Sequence, residues 1–363
     1  MRTGIITFHR AINYGAILQT YALQKKMIDK GYAVEVIDYR CEHMENFYKT
    51  LTFKGKSLKQ GVRGLLNFYY TYKKKKHFRR FLNDNIRLSD MVYTKSNIQD
   101  SNKVYGQFIT GSDQVFNYAC SNFDTSYFLD FVTKPNKKLS YAASFGINEI
   151  PPKYLDDYKN LLSSFDKFSI REMKGQDLLY KLTQRRSELS VDPVFLLEKE
   201  DWLRIAKKPN MERYILIYKL NASDLIYDFA RKLANKTKCK IISLNFDFVD
   251  ELKNRGIKGI MSASVEEFLG YFAYADYVVT NSFHGTAFSI IFHKEFYVEA
   301  LQKDFKPNDR VESLLKITNL QSCKINSLDD CVLSLNRDFS FSDAQLKTER
   351  LNSLKYLESI LNE

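Results

Sequence analysis

The opening of the chain alternates strand, helix and strand, and that order limits the fold more than any other feature. Gly4 to Phe8 reads as a strand, Ala16 to Lys30 as a helix and Ala33 to Asp38 as a second strand. The helix carries Ile17, Tyr21, Gln24 and Ile28 along one stripe and stops at Gly31, a residue suited to the left-handed turn that ends helices. Two strands joined through a helix form a βαβ unit, whose crossover makes the strands parallel. A parallel sheet in turn needs helices on both faces, so the expectation is an α/β fold.

The pattern continues. Val104 to Thr110, Lys138 to Ser144 and Lys167 to Arg171 read as strands, with helical stretches at Lys153 to Ser164 and Glu172 to Leu182. Proline after aspartate at Asp192-Pro193 closes this half, and Glu198 to Lys208 reads as a polar helix. A second series then begins. Tyr214 to Lys219, Lys240 to Asn245, Tyr277 to Thr280 and Glu295 to Glu299 are its strands. Ser223 to Lys236, Ser264 to Ala275 and a stretch beyond Gly285 are its helices. Ser264-Val265-Glu266-Glu267 has the form of a capping box. At 363 residues the chain exceeds a typical single core. The expected architecture is two doubly wound, Rossmann-like domains facing a cleft. They span residues 1–195 and 196–340, and a last helix in 341–363 packs back on the first domain.

Ligands of open α/β sheets bind beyond the carboxyl ends of strands, and three loops fall there. The first is Asn13-Tyr14-Gly15, reached through His9 and Arg10. It lacks the GxGxxG spacing of a dinucleotide site, and Asn13 can either cap the following helix or face a ligand. Gly111-Ser112-Asp113 is the second; Asp113 can cap a helix, or hold or deprotonate a sugar hydroxyl. The third is Thr280-Asn281-Ser282-Phe283-His284-Gly285-Thr286, a polar turn between an apolar strand and a helix. Amides at a helix start, with Ser282 and Thr286 beside them, suit an anionic group, and His284 adds a proton donor near neutral pH.

Arg171 ends a strand, where it can clamp a carboxylate or phosphate, or form an interdomain ion pair with Asp192. Arg310 opens a late helix, either lining the cleft or lying on the surface. His43, His77 and His293 are expected to have no chemical role. No GxSxG elbow, Walker loop, HExxH, CxxC or Asp-x-Asp pair occurs, so neither a metal nor a resident cofactor is expected.

The net charge of +12 is concentrated. Lys54 to Arg80 holds ten Lys or Arg and no Asp or Glu, with Leu58, Val62, Leu65, Leu66, Tyr69 and Tyr72 at helical spacing. Such a basic amphipathic helix, placed as an insertion in the first domain, either packs on its own domain or meets an anionic membrane surface. No nucleic-acid motif accompanies the charge, so nucleic acid is not an expected partner. Met1-Arg2-Thr3 leads straight into a strand, and five cysteines lie at unpaired spacings. Both features fit a cytoplasmic protein with reduced thiols.

Taken together the motifs resemble the polysaccharide pyruvyl transferase family. The resemblance rests on Asn13-Tyr14-Gly15-Ala16-Ile17-Leu18-Gln19, Gly111-Ser112-Asp113-Gln114-Val115-Phe116-Asn117 and Tyr141-Ala142-Ala143-Ser144-Phe145-Gly146. Ser169-Ile170-Arg171-Glu172, Val191-Asp192-Pro193 and Thr280-Asn281-Ser282-Phe283-His284-Gly285 complete it. It implies a GT-B-like fold and transfer of the pyruvyl unit of phosphoenolpyruvate onto two hydroxyls of a sugar, making a ketal and releasing phosphate. The family's histidine falls on His284 and its donor-binding arginine on Arg171. The acceptor it implies is a sugar carried on a lipid diphosphate at the cytoplasmic membrane face. The glycine-rich central loop of some members is here Gly-Ser-Asp-Gln, which leaves the role of Asp113 open. The competing expectation is a GT-B-like glycosyltransferase using a nucleotide sugar, for which Glu299 is the one acidic candidate. A basic membrane- or nucleic-acid-binding module is the third.

Overall fold

A computed structural model describes residues 1–49, 58–245, 256–300, 309–332 and 337–362, and for 48–49 and 58–67 the backbone alone. It divides into two compact units. Unit 1 comprises Met1–Thr50, Arg79–Leu197 and Lys347–Glu363, and unit 2 comprises Leu51–Phe78 and Glu198–Leu346.

Unit 1 holds strands β1 (Thr3–Ile6), β2 (Val34–Tyr39), β3 (Leu88–Tyr93), β4 (Gln107–Thr110) and β5 (Lys137–Ser140) in the order β3-β2-β1-β4-β5. Every pairing is parallel, with Thr3 opposite both Val34 and Gln107. Helix α1 (Tyr14–Asp29) makes the β1–β2 crossover, followed by α2 (Glu42–Lys49) and α3 (Leu58–Asn85). Further on lie α4 (Tyr118–Ser121), α5 (Leu155–Ser163) and α6 (Met173–Thr183), with the short pair β6 (Ser169–Ile170) and β7 (Glu188–Leu189). Strands β1, β2 and β4 are buried along their length, and an aromatic cluster including Phe108, Phe116, Phe128 and Tyr158 packs beneath α5.

Unit 2 repeats the plan. Its strands are β8 (Tyr214–Tyr218), β9 (Lys240–Leu244), β10 (Ile257–Ile260), β11 (Tyr277–Thr280) and β12 (Glu295–Val298), ordered β10-β9-β8-β11-β12 and all parallel. Its helices are α7 (Lys199–Ile205), α8 (Asp224–Thr237), α9 (Val265–Ala273), α10 (Phe283–Ile291) and α11 (Asp309–Ile317). The Ser264 capping box is present, with the Ser264 hydroxyl accepting from the Glu267 amide and Glu267 accepting from the Ser264 amide.

The last helix, α12 (Ser340–Leu361), runs into unit 1. There Ser353 accepts from the Val191 amide, and Tyr356 donates to the Ser140 carbonyl. One assignment needs correction. The basic insertion, expected within the first domain, contributes α3 as far as Phe78 to unit 2. The reason is polar as well as apolar, since Lys74 and His77 hydrogen-bond Asn245 and the Ser262 carbonyl. Lys54 and Lys56 of that stretch lie outside the described residues.

In each sheet the order of strands reverses once, between β1 and β4 and between β8 and β11. The crevice at such a reversal, beyond the strands' carboxyl ends, is where doubly wound sheets hold ligands.

Candidate active site

In unit 1 the loops leaving β1 and β4 meet at the reversal. Thr7 donates to the Ser112 carbonyl at 2.8 Å, and Gln19 of α1 donates to the Thr7 hydroxyl at 3.1 Å. Gly111 lies against this brace, where an added Cβ would be 3.1 Å from Thr7. Asn13 caps α1, its side-chain oxygen accepting from the amides of Gly15 (2.9 Å) and Ala16 (3.3 Å). Tyr14 is buried within the first turn. Asn13 therefore makes the capping contact that its sequence position allows, and it also lines a cavity.

That cavity has a volume of about 280 Å³. Asn13, His43, Phe47, Asp113 and Gln114 are among its walls. His43 and Phe47, on α2, are exposed. His43 carries no expected role from its sequence context, because nothing in its neighbourhood marks it; only the fold brings α2 over the two loops.

Asp113 is the strained member of the set. Its φ is +81°, a left-handed conformation that few side chains adopt. The turn is held on both sides, because the Asp113 carbonyl accepts from the amides of Val115 (2.8 Å) and Ser144 (2.9 Å). Its carboxylate accepts from the Gln114 amide at 2.9 Å.

Arg171, at the end of β6, is buried and ion-paired with Asp192, with Asp113 at 3.7 Å. Burial works against its charge, but Asp192, Asp113 and Glu172 outweigh that and raise its pKa. The pair with Asp192 lies within unit 1, so it is not the interdomain pair that was the alternative. Glu172 completes the frame by accepting from the Ser144 hydroxyl and the Phe145 and Gly146 amides. Thus Arg171, Asp192 and Glu172 tie down the loops that present Asp113. A separate buried pair stands at the end of β2. Burial pushes the Asp38 carboxyl up, while His9 and Arg10 overcome this and hold it well below the usual carboxylate range.

In unit 2 the polar turn after β11 starts α10. Ser282 is its N-cap, accepting from the Gly285 amide at 3.3 Å. The Thr280 hydroxyl donates to the Tyr218 carbonyl and accepts from the Ser282 amide. Asn281 staples the turn to the loop after β8, accepting from the Leu220 amide and donating to the Asn221 carbonyl. Thr286 donates to the Ser282 carbonyl. Gly285 admits no side chain, since a Cβ there would come 2.3 Å from the Thr280 hydroxyl. These residues hold the turn rigid. Within it, His284 is only 6% exposed and stands edge-on to Phe283, with ring centroids 5.2 Å apart. The Arg310 guanidinium lies 5.9 Å from the Phe283 ring centroid, so the structure brings His284 and Arg310 to one corner of unit 2.

A lysine joins this corner that the sequence does not single out. Lys74 of α3 donates to the Asn245 side chain at 2.6 Å, just beyond β9. Burial pushes the Tyr218 phenol up, against side-chain hydrogen bonds with Asn245 and Ser282. Lys74 thus bonds Asn245, which lies close to Tyr218 and so to the start of α10. Burial lowers the Lys74 pKa to about 8. In the sequence Lys74 is one of four consecutive lysines. Its helical phase with Phe78, four residues on, is the signal that would have distinguished it. His77 bonds the Ser262 carbonyl, and His293 stacks on Phe339 and pairs with Asp343, so both sit in structural contacts.

Both units are doubly wound, and each places a polar loop set at its reversal point, as in GT-B-like folds. A family model for polysaccharide pyruvyl transferase matches residues 13–301, and the chain belongs to that family. The matched span begins at Asn13 and contains the loops after β4 and β11, Arg171 and His284. Among solved structures, the fold is similar to a putative UDP-N-acetylglucosamine 2-epimerase from Listeria monocytogenes. The identity is 10% and the TM-score 0.54, over 99% of this chain and 95% of that one. It is also similar to UDP-GlcNAc 2-epimerases from Methanocaldococcus jannaschii (13%, TM-score 0.51, 98% and 100%) and Neisseria meningitidis (11%, TM-score 0.51, 99% and 99%). At such identities the likeness is one of fold. No curated protein matches the chain.

Proposed function

We propose that this transferase moves the pyruvyl unit of phosphoenolpyruvate onto two hydroxyls of a sugar, in the assembly of a surface or capsular polysaccharide. The observation that carries the proposal is the turn of unit 2. A buried histidine stands in the first turn of a nine-residue helix, at the carboxyl end of a central strand, and inside the family's matched span. Phosphoenolpyruvate presents a phosphate and a carboxylate, and a helix start with Arg310 nearby suits an anion.

The chemistry begins with proton transfer to the methylene carbon of phosphoenolpyruvate, which makes the neighbouring carbon electrophilic. One sugar hydroxyl adds to that carbon and gives up its proton. The bond to the phosphate oxygen then breaks, inorganic phosphate leaves, and the second hydroxyl closes the ketal. His284 is assigned the donated proton, or the steadying of the departing phosphate. The cavity of unit 1 is assigned the sugar, with Asp113 and Asn13 accepting and donating to its hydroxyls. His43 is added there as a group able to take a hydroxyl proton. Arg171 carries the family's donor-binding role by resemblance, and its pairing with Asp192 adds a second task, that of holding the Asp113 loop. The acceptor we assign is a repeat-unit sugar on a lipid diphosphate, which places the work at the inner face of the cytoplasmic membrane.

The test is turnover with phosphoenolpyruvate and a panel of lipid-linked and aryl glycosides, read by the mass of a pyruvyl ketal. His284→Ala should lower turnover by roughly 10²–10⁴-fold, the usual scale of general acid–base help. Wild-type turnover in that variant would remove the assignment. A thermal shift given by UDP-GlcNAc and not by phosphoenolpyruvate would favour the glycosyltransferase alternative, since a ligand of the native state raises its apparent stability.

A further inference from the structure

The outward face of α3 is unlike the rest of the surface. Its inward side is set by Lys74, His77 and Phe78, which make the contacts with Asn245 and Ser262 or lie buried. Opposite them, Phe68, Tyr69 and Tyr72 are 42%, 55% and 59% exposed. Lys73 and Lys76 are exposed beside them. With about 3.6 residues per turn, these five positions share one arc of roughly 140°, facing away from the packed side. The rings of Phe68 and Tyr72 lie 6.2 Å apart and tilted by 30°, forming a continuous apolar step before the lysines. From Leu58 to Asn83 the helix carries no acid, and Asp84 comes two turns after Lys76.

Three exposed aromatics in five residues, followed immediately by bases, are poorly served by water. A solvated basic end would need no rings, and a self-packed helix would hide them. Single-stranded nucleic acid also pairs bases with aromatics, but it does so along a groove, whereas this arc is the convex side of a helix. A flat anionic surface with an apolar layer beneath it matches both halves of the arc. Rings settle at the head-group boundary, and ammonium groups meet the phosphates. No helix among the described residues is long and apolar enough to cross a membrane, so contact from one side is the mode that fits.

We propose that α3 docks this protein on an anionic lipid surface through Phe68, Tyr69, Tyr72, Lys73 and Lys76. The docking goes beyond pyruvyl transfer and does not depend on it, although it would bring the enzyme to a lipid-carried sugar. It also gives the insertion two faces with separate tasks, since the inward face bonds Asn245 through Lys74 and the Ser262 carbonyl through His77.

The test is flotation of the full chain with phosphatidylcholine vesicles, with and without phosphatidylglycerol. Wild-type protein should float with the anionic vesicles at low salt, stay behind with neutral ones, and be released as salt rises. Lys73→Gln with Lys76→Gln should weaken partition by roughly 25-fold, at about five-fold for each basic residue removed. Tyr72→Trp should show a blue-shifted emission on the same vesicles. The double variant touches only exposed side chains, and circular dichroism checks its fold; if that fails, the salt dependence of the wild type and the Tyr72→Trp emission still decide. Absence of flotation at low salt, equal flotation of the folded double variant, or an unshifted Tyr72→Trp spectrum would each overturn the proposal. So would tight binding of single-stranded DNA by a protein that ignores the vesicles.

Discussion

Asp113 holds a left-handed backbone at φ +81° without being glycine, and strain of this kind costs on the order of 1–3 kcal/mol. Three hydrogen bonds maintain it: two to its carbonyl and one from the Gln114 amide to its carboxylate. A glycine would remove the strain, so the carboxylate itself must serve some purpose at this point of the sheet. The purpose is structural if the charge is needed only to face Arg171, and chemical if it meets a sugar hydroxyl. Two substitutions divide these cases. Asp113→Asn keeps both the tolerance for positive φ and the acceptor for Gln114, so its stability should stay within about 1 kcal/mol of wild type. Asp113→Ala loses both and should cost about 1–3 kcal/mol in denaturant unfolding. If Asp113 handles the acceptor, kcat/KM falls in both variants alike, out of step with stability. Activity that follows stability instead would reduce Asp113 to a partner of Arg171.

Among elements, α3 shows how much of the molecule could be read from the chain and how much could not. Strands β8, β11 and β12 are announced by apolar runs, because parallel strands buried on both faces leave little polar alternation. Strands β1, β2, β4, β5 and β9 lie in mixed stretches, such as Val34-Glu35-Val36-Ile37-Asp38-Tyr39, that still read as extended. β3 and β10 are silent for the opposite reason. They are edge strands; β3 leaves Asp90, Met91 and Val92 exposed in succession, and β10 is a four-residue stretch interrupted by Lys258 and Gly259. The candidate loops were legible because a strand followed by small polar residues marks a carboxyl end. His43 and Lys74 were not, since each reaches its place only through the packing of a helix that looks solvated in sequence. Lys74 also carries a measurable signature. Its folded pKa, about 8, lies below the ordinary lysine value of about 10.4, so the unfolded chain binds the extra proton. Stability from this group therefore rises with pH between those two values, and its penalty is fully present below pH 8. The difference in Tm between Lys74→Met and wild type should hold steady up to about pH 8. It should then shift in favour of wild type up to about pH 10.4. A difference independent of pH across that window would mean that Lys74 is solvated like its neighbours.

For the whole molecule, the path of the chain matters more than the count of its layers. The backbone passes between the two units four times, after Thr50, Phe78, Leu197 and Leu346. Two of those passages are made inside helices, α3 and α12. Each unit is consequently finished by sequence distant from its own sheet. Unit 1 depends on the end of α12, where Leu354, Tyr356, Leu357, Ile360 and Leu361 are buried and Gln107 donates to the Ile360 carbonyl. Burying side chains of this size is worth roughly 1.5–3 kcal/mol each. Five of them together rival the entire stability of a typical domain, about 5–15 kcal/mol. Ser353 and Tyr356 add hydrogen bonds to Val191 and Ser140, leaving buried backbone groups without partners when they are removed. Residues 347–363 belong to unit 1. Removing those residues should therefore abolish slow hydrogen exchange in β1, β4 and β5, while β8 and β11 keep theirs. Uniform loss over both sheets would show that the units fold as one cooperative body. Retained protection in unit 1 would show that α12 is an ornament on a core already complete.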